Sequence, residues 1–438
     1  MAFTVQRPRA LADSVLPLPD EPRHELTWLG MLGGFVAAMA FLLLIPAGWS
    51  RLNHLWAEDG ARFMVDAVRS PVLSNLTDPY GGYLHMLPRL VAQLVALLPL
   101  EWAAAGFAVC AAVLRALIAL ITFAASKAYL KSTPMRFALA ALVIVLPAGN
   151  SETLNNMANL HWFLLYGAFW ALLWRNAPRV PIALFVVLAA LTSPLVFILA
   201  PIALLRLFQP RREVPIAFLA GLVVQGLTMV FASRTPYSHD AVDPVQVLLA
   251  SLLRVPVVAF TGSERVVELY PQMGNLLILG SLLAAAVPIA AGLRFGDRIG
   301  RTLALVALAY SVILIVACLV LNWTQVLQVQ AEDVVMAAQR YSIAPCLFLF
   351  TAIFVGLDAT PAKTWERAVV AGSRYLIGFL VVVSVFAYLR EPKTVLTGVA
   401  WDESLANARA ECAAGATEAR LEHAPDDWFF IVPCESVR

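Results

Sequence analysis

Charge is scarce in this 438-residue chain. Asp, Glu, Lys and Arg make up 14 % of it, where a soluble globular chain carries about a quarter. With 61 % of residues hydrophobic and a mean hydropathy of +0.77, an ordinary soluble domain is excluded. The 29 acidic and 31 basic side chains nearly cancel, to +2, which leaves no electrostatic footprint for nucleic acid. There are five cysteines and no CxxC spacing, so zinc-type ligand spacing is missing. Strand-period alternation is absent, which argues against a transmembrane β-barrel. No Walker or GxGxxG pattern stands in a suitable setting. No internal repeat is visible, which weighs against an inverted-repeat transporter. Residues 1–27 are polar and proline-rich and lack the compact apolar segment and small-residue cleavage site of a secretory signal. The first apolar run is therefore expected to be a retained span.

What the chain does have is apolar runs long enough for a bilayer, which takes about 20 residues per helix. The expected fold is an all-α polytopic membrane protein with about 11 transmembrane helices (range 10–13). They fall near 28–48, 102–126, 135–148, 160–174, 180–193, 194–208, 214–232, 275–293, 302–321, 341–357 and 368–389. The pairs around Pro147 and around Thr192-Ser193-Pro194 are candidates for tilted or broken helices. Alternate short loops carry the basic residues: Lys127, Lys131 and Arg136; Arg175 and Arg179; Arg206, Arg211 and Arg212; Arg294, Arg298 and Arg301; Lys363 and Arg367. With Arg7, Arg9 and Arg23 they place residues 1–27 on the cytoplasmic side, by the positive-inside rule. An odd number of spans then puts the tail, 390–438, outside. The outside loops of the 28–389 membrane domain are 49–101, 149–160, 233–274 and 322–340. The first contains "YLHMLPRLVAQLVALLP", apolar on one face and too short to span, which reads as an interfacial helix.

The polar residues of interest fall in these outside loops. In "HLWAEDGARFMVDAVRSP", Glu58 and Asp59 stand side by side just after the first apolar run. A solvated loop with Glu58–Arg62 and Arg62–Asp66 pairs at i,i+4 is the plain reading. A carboxylate near low-dielectric surroundings can also serve as a general base toward a hydroxyl, or share a divalent metal with its neighbour. In "DPYGGYLHMLPR", Tyr80 and Tyr83 suit headgroup level. His85 and Arg89 share a helix face, and an arginine there suits a phosphate. In "SETLNNMANLHW", a helix would align Glu152, Asn155, Asn156 and Asn159 as a polar stripe before His161 and Trp162. Such a stripe is either a sugar-hydroxyl surface or a wet loop with helix caps. Arg340 and Tyr341 sit at the outer mouth of a span, as interfacial anchors or as a clamp for a lipid-linked phosphate. Arg234, Tyr237 and His239 are weaker candidates of that kind. Arg115 lies within a span, where an ionisable group is either functional or paired with backbone carbonyls. Cys412 and Cys434 would face an oxidising compartment, so a disulfide stapling the tail is expected.

The acidic pair after the first span, the interfacial helices and the further acid between spans 3 and 4 resemble the GT-C superfamily of membrane glycosyltransferases. That superfamily includes the oligosaccharyltransferase catalytic subunit, protein O-mannosyltransferases and lipid A aminoarabinose transferases. "WAEDGARFMVDAV" with "PYGGYLHMLPRLVA" is similar to the first-loop signature of a bacterial multi-span group. The resemblance covers the chain in topology, but in motif only 54–92 and, loosely, 149–162 and 339–345. It implies a GT-C-like fold in the bacterial inner membrane and an inverting transfer outside it. The donor would be a polyprenyl-phosphate-linked sugar and the acceptor an envelope glycan, lipid or protein. Asp59 would match the general base, with Glu58 the alternate, Glu152 the second acid, and Arg340 a donor-phosphate arginine. The chain lacks the DxD pattern and the large C-terminal soluble domain of the oligosaccharyltransferase. That leaves open whether a divalent cation, Mg or Mn, takes part. A transporter or flippase of lipid-linked sugars is the competing class, with an envelope-assembly scaffold third.

Overall fold

The computed structural model of the chain describes residues 10, 12–13, 16, 27–232, 242–321, 328–329, 334–335, 338–389 and 397–437. Arg7, Arg9, Arg23, Arg234, Tyr237 and His239 lie outside them. The described chain is mostly helical, and apolar Leu-, Ala- and Val-rich runs form the long helices. Among the described residues six are long and apolar enough to cross a membrane: Leu100–Ser126, Glu213–Phe231, Pro244–Thr261, Asn275–Phe295, Arg298–Leu321 and Gln339–Leu357. A bent pair, Arg179–Ala190 and Pro194–Arg206, would make a seventh. This is a multi-pass helical membrane protein, with fewer span-length helices than the eleven expected.

The difference has a physical cause. Thr133–Val145 and His161–Leu173 are helices of 13 residues each, about 20 Å long at 1.5 Å per residue, against a hydrocarbon core of about 30 Å. The runs 180–193 and 194–208 are two arms bent by 120°. Pro194 stops the first arm, and Ser193 caps the turn that follows. Both arms end at the same place, since Arg206 donates to Leu172 O and Arg179 pairs with Glu213. Conversely, Pro244–Thr261 falls within 233–274, the stretch expected as an outside loop. It has the length of a span, yet its middle is bonded to helix 343–357 and to the residue before the turn leading into it: Arg254 Nη1 donates to Ala338 O, and the Cys346 thiol meets the Arg254 carbonyl.

The connections gather at two ends. At one, Lys131 pairs with Asp297 at 3.0 Å, and Asp358 accepts from the Lys131 and Ser132 amides. Arg211 donates to Ala177 O, while Arg175 and Gln209 hold Leu16 O from the N-terminal segment. The basic loops and the N-terminal segment therefore share one end. The loops around Asp59, Glu152, Arg340 and the C-terminal segment meet at the other.

The C-terminal segment is not purely helical. Helix Trp401–Ala413 packs on an antiparallel hairpin, Glu418–His423 with Trp428–Pro433, in register from Glu418 opposite Pro433 to His423 opposite Trp428. Leu421, Phe430 and Val432 alternate inward onto Trp401 and Leu405. A disulfide joins Cys412 to Cys434, across a Cα–Cα distance of 5.6 Å.

Candidate functional site

Asp59 is the knot of the polar end. It opens a π-helical turn, Asp59–Met64, a rare conformation frequent at functional sites. Its carboxylate is 1 % exposed and accepts the Met157 amide at 2.9 Å and the Ala158 amide at 2.8 Å. The first loop and the 149–160 loop are thereby brought into one structure. Burial pushes the Asp59 carboxyl up to about 8, with the Met157 N–H pulling the other way. Glu58 beside it is only half-buried and lies within electrostatic reach of Arg340.

Glu152 and Arg340, distant in sequence, are a pair. Arg340 Nη1 lies 3.1 Å from Glu152 Oε2, and the Arg340 amide donates to Glu152 Oε1 at 2.6 Å. Both stay partly open, with side-chain exposures of 18 % for Glu152 and 34 % for Arg340. The Arg340 guanidinium lies over the Tyr341 ring, which meets Trp162 edge-on at 5.2 Å between centroids. His161 adjoins Trp162, takes part in a bond to Ala158 O at 2.8 Å, and is within electrostatic reach of Arg340 and of His85. His85 stacks on Tyr83 at 4.2 Å and sits near Tyr80 and Phe63. Its burial lowers it to about 3, so it is neutral at physiological pH.

Two further arginines belong to the cluster and were not anticipated. Arg51 is 1 % exposed, with Trp56 covering its guanidinium at 4.4 Å, in electrostatic reach of Asp59 and Glu152. Arg254 is fully buried, within reach of Glu152, Tyr341 and Arg340. In sequence Arg51 reads as an ordinary residue at the edge of a span, and only its proximity to the acids sets it apart. Backbone conformation also marks this region. Ala57, Asn155 and Ala338 all have left-handed φ, of 31°, 49° and 50°. Strained non-glycine residues tend to gather at functional sites, and these three immediately precede or lie within the segments carrying Glu58, Glu152 and Arg340.

Several residues are placed otherwise than expected. The 151–160 stretch is a 3-10 turn, Ser151–Thr153, followed by tight turns and not a striped helix. Asn155 donates to Leu42 O at 2.6 Å, and Asn156 and Asn159 both donate to Glu152 O. All three are nearly inaccessible. A buried loop without ladder bonds must satisfy its carbonyls with side chains, and these amides serve that need in place of a sugar. Arg89 is fully buried among Asp66 at 2.9 Å, Asp78 at 3.3 Å and Asn75. Arg62 bonds the same two aspartates. A buried guanidinium demands such partners, so Arg89 holds the first loop together and is not open to a donor phosphate. Arg115 donates to the carbonyls of Val143, Ile144 and Gly149, capping the end of helix 133–145. Among the described residues no group of three or more His, Cys, Asp or Glu side chains could hold a metal ion.

Fold and site together define a class: a multi-pass helical membrane protein whose loops build a charged, aromatic-lined cluster at the end opposite its basic loops. No family model, no curated protein and no solved structure matches the chain.

Proposed function

We propose that the protein is a membrane glycosyltransferase. It would move a sugar from a polyprenyl-phosphate-linked donor to an envelope glycan, lipid or protein, on the outer face of the bacterial inner membrane with its N-terminus cytoplasmic. The observation that carries this reading is the convergence of Glu58, the Glu152–Arg340 pair and His161 at one end of the apolar bundle, backed by the buried rings of Trp162 and Tyr341. Partly open carboxylates suit the hydroxyls of a sugar, and an arginine at the membrane boundary suits its phosphate. An apolar groove of about 540 Å³ between helices 86–95 and 103–126, built on the same first loop, suits a lipid chain.

The geometry favours Glu58 over Asp59 as the base. Asp59 has both oxygens on backbone amides, is 1 % exposed and, with its carboxyl raised to about 8, holds its proton at neutral pH. Glu58 is the more accessible of the two. In this reading the acceptor oxygen attacks the anomeric carbon as its proton passes to Glu58. The bond from carbon to phosphate oxygen breaks, and its electron pair leaves on the lipid phosphate. Arg340, oriented by Glu152, faces that developing charge.

The test is a null strain complemented with wild type, Glu58→Gln or Asp59→Asn, with envelope glycans compared by mass spectrometry and protein levels by immunoblot. Glu58→Gln at wild-type abundance is expected to lose the product. A null strain with unchanged glycans, or a fully active Glu58→Gln protein, overturns the assignment. A transporter of lipid-linked sugars is the second reading, favoured by the broken hairpin 179–206. The polar groups at its apex are taken up locally, since Thr192 and Leu191 accept from the Leu87 and Met86 amides; on the neighbouring helix 213–231, Gln225 brackets Leu84. Movement of labelled lipid-linked sugar across proteoliposomes without an acceptor would favour that reading.

A further inference from the structure

The segment carrying Glu58 and Asp59 is gripped from outside by the C-terminal module. Asn53 O accepts the Trp401 amide at 2.7 Å, and the Asn53 side chain exchanges bonds with Asp402, at 2.8 Å through Nδ2 and 3.1 Å through Oδ1. The hairpin turn then runs beside the strand-like stretch that follows. The Ala424 amide donates to Leu55 O at 3.0 Å, and Ala57 N donates to Ala424 O at 2.6 Å. Ala57 is the left-handed residue that turns the chain into Glu58, so its amide is anchored by the module. On the far side of Asp59, Gly60 abuts His423 so closely that a Cβ there would lie 2.7 Å from the ring Nε2. His423 is itself 1 % exposed. Arg69, further along, donates to Ile431 O at 2.5 Å. Residues 53–60 thus meet the module on both sides of the acidic pair.

The module is small. Folded segments of about 40 residues usually need a disulfide, a metal or a partner to stay ordered. Cys412 closes the helix onto Cys434 at the far end of the hairpin, and Arg409 adds a bond to Val437 O at 2.8 Å.

We infer that the C-terminal module is a positioning part of the Glu58–Asp59 site, with the Cys412–Cys434 disulfide as its latch. An external dithiol reductant opens the latch. Its two sulfurs become a disulfide, and the two electrons and two protons they give up convert Cys412 and Cys434 to thiols. Freed from each other, helix and hairpin loosen, and the hold on Leu55, Ala57 and Gly60 goes with them. The inference concerns the placement of residues 53–60 and stands apart from the glycosyl-transfer reading, because it is read without substrate.

The test is hydrogen–deuterium exchange of the full-length protein in lipid nanodiscs, with and without dithiothreitol, with iodoacetamide trapping of thiols read in parallel. Reduction is expected to add two alkylated cysteines and to speed exchange in peptides covering 53–60 about tenfold or more, leaving 103–126 and 343–357 unchanged. A Cys412→Ser/Cys434→Ser double variant should show the fast rate with or without reductant. Both thiols trapped with 53–60 unchanged overturns the proposal. So does a disulfide that resists dithiothreitol in the folded protein, since it is then no latch. Should the double variant fail to fold, the wild-type pair of measurements decides alone.

Discussion

At the residue scale, two adjacent acids with the same chemistry have been separated by their surroundings. Asp59 is sealed in and bonded to two amides, and Glu58 is left accessible. Removing the Asp59 carboxylate leaves two buried N–H groups unpaired, so Asp59→Ala should lose roughly 1–3 kcal/mol of stability by thermal unfolding, and Asp59→Asn less. Glu58→Gln should leave the melting temperature unchanged. The raised Asp59 carboxyl also predicts a pH dependence. A group whose folded value lies above its unfolded one stabilises fully below the ordinary carboxylate range near 3.8, and that contribution is lost as pH rises through about 8. Thermal stability should therefore fall across that window in the wild type and fall less steeply in Asp59→Asn. A slope identical in both would remove Asp59 as the source. The adjacency of the two acids was legible in the sequence. Their difference was not, because it is made by the amides of Met157 and Ala158, about a hundred positions away.

At the element scale, what joins the helices is close approach and carbonyl capping. A Cβ on Gly356 would overlap the Pro288 carbonyl oxygen, and one on Gly292 would lie 2.9 Å from Gly356 Cα. Helices 275–295 and 343–357 therefore cross backbone against backbone, as small residues allow in membranes. Gly356→Val should cost about 1–3 kcal/mol as overpacking, measured as a lower melting temperature of the detergent-solubilised protein. A wild-type melting temperature would show that the crossing is looser than described. Arginines close other helix ends: Arg115 on helix 133–145, Arg206 on helix 161–173 and Arg374 on helix 343–357. Helix identity was legible from apolar runs. Helix length and direction were not, since hydropathy does not register a 120° reversal at Thr192–Pro194 or the 13-residue limit of helix 161–173.

At the scale of the whole molecule, the partition into a basic end and a polar-loop end predicts accessibility. A cysteine in place of Lys363 and one in place of Glu435 should react with a membrane-impermeant maleimide from opposite sides, the second from outside intact spheroplasts. Reaction of both from the same side would break the topology.

Class and partition were written in the sequence by itself, because hydropathy and the placement of Lys and Arg are one-dimensional quantities that a bilayer reads directly. Tertiary structure decided which polar groups remain available. Burial obliges every polar atom to find a partner, and the partners come from distant loops. Arg89, Asn155 and Asn159 are used up in holding their own segments, Glu152 is committed to Arg340, and Arg51 is drawn in beside Asp59. The C-terminal tail, which reads in sequence as an appendage, becomes in the fold the support on which Glu58 and Asp59 rest.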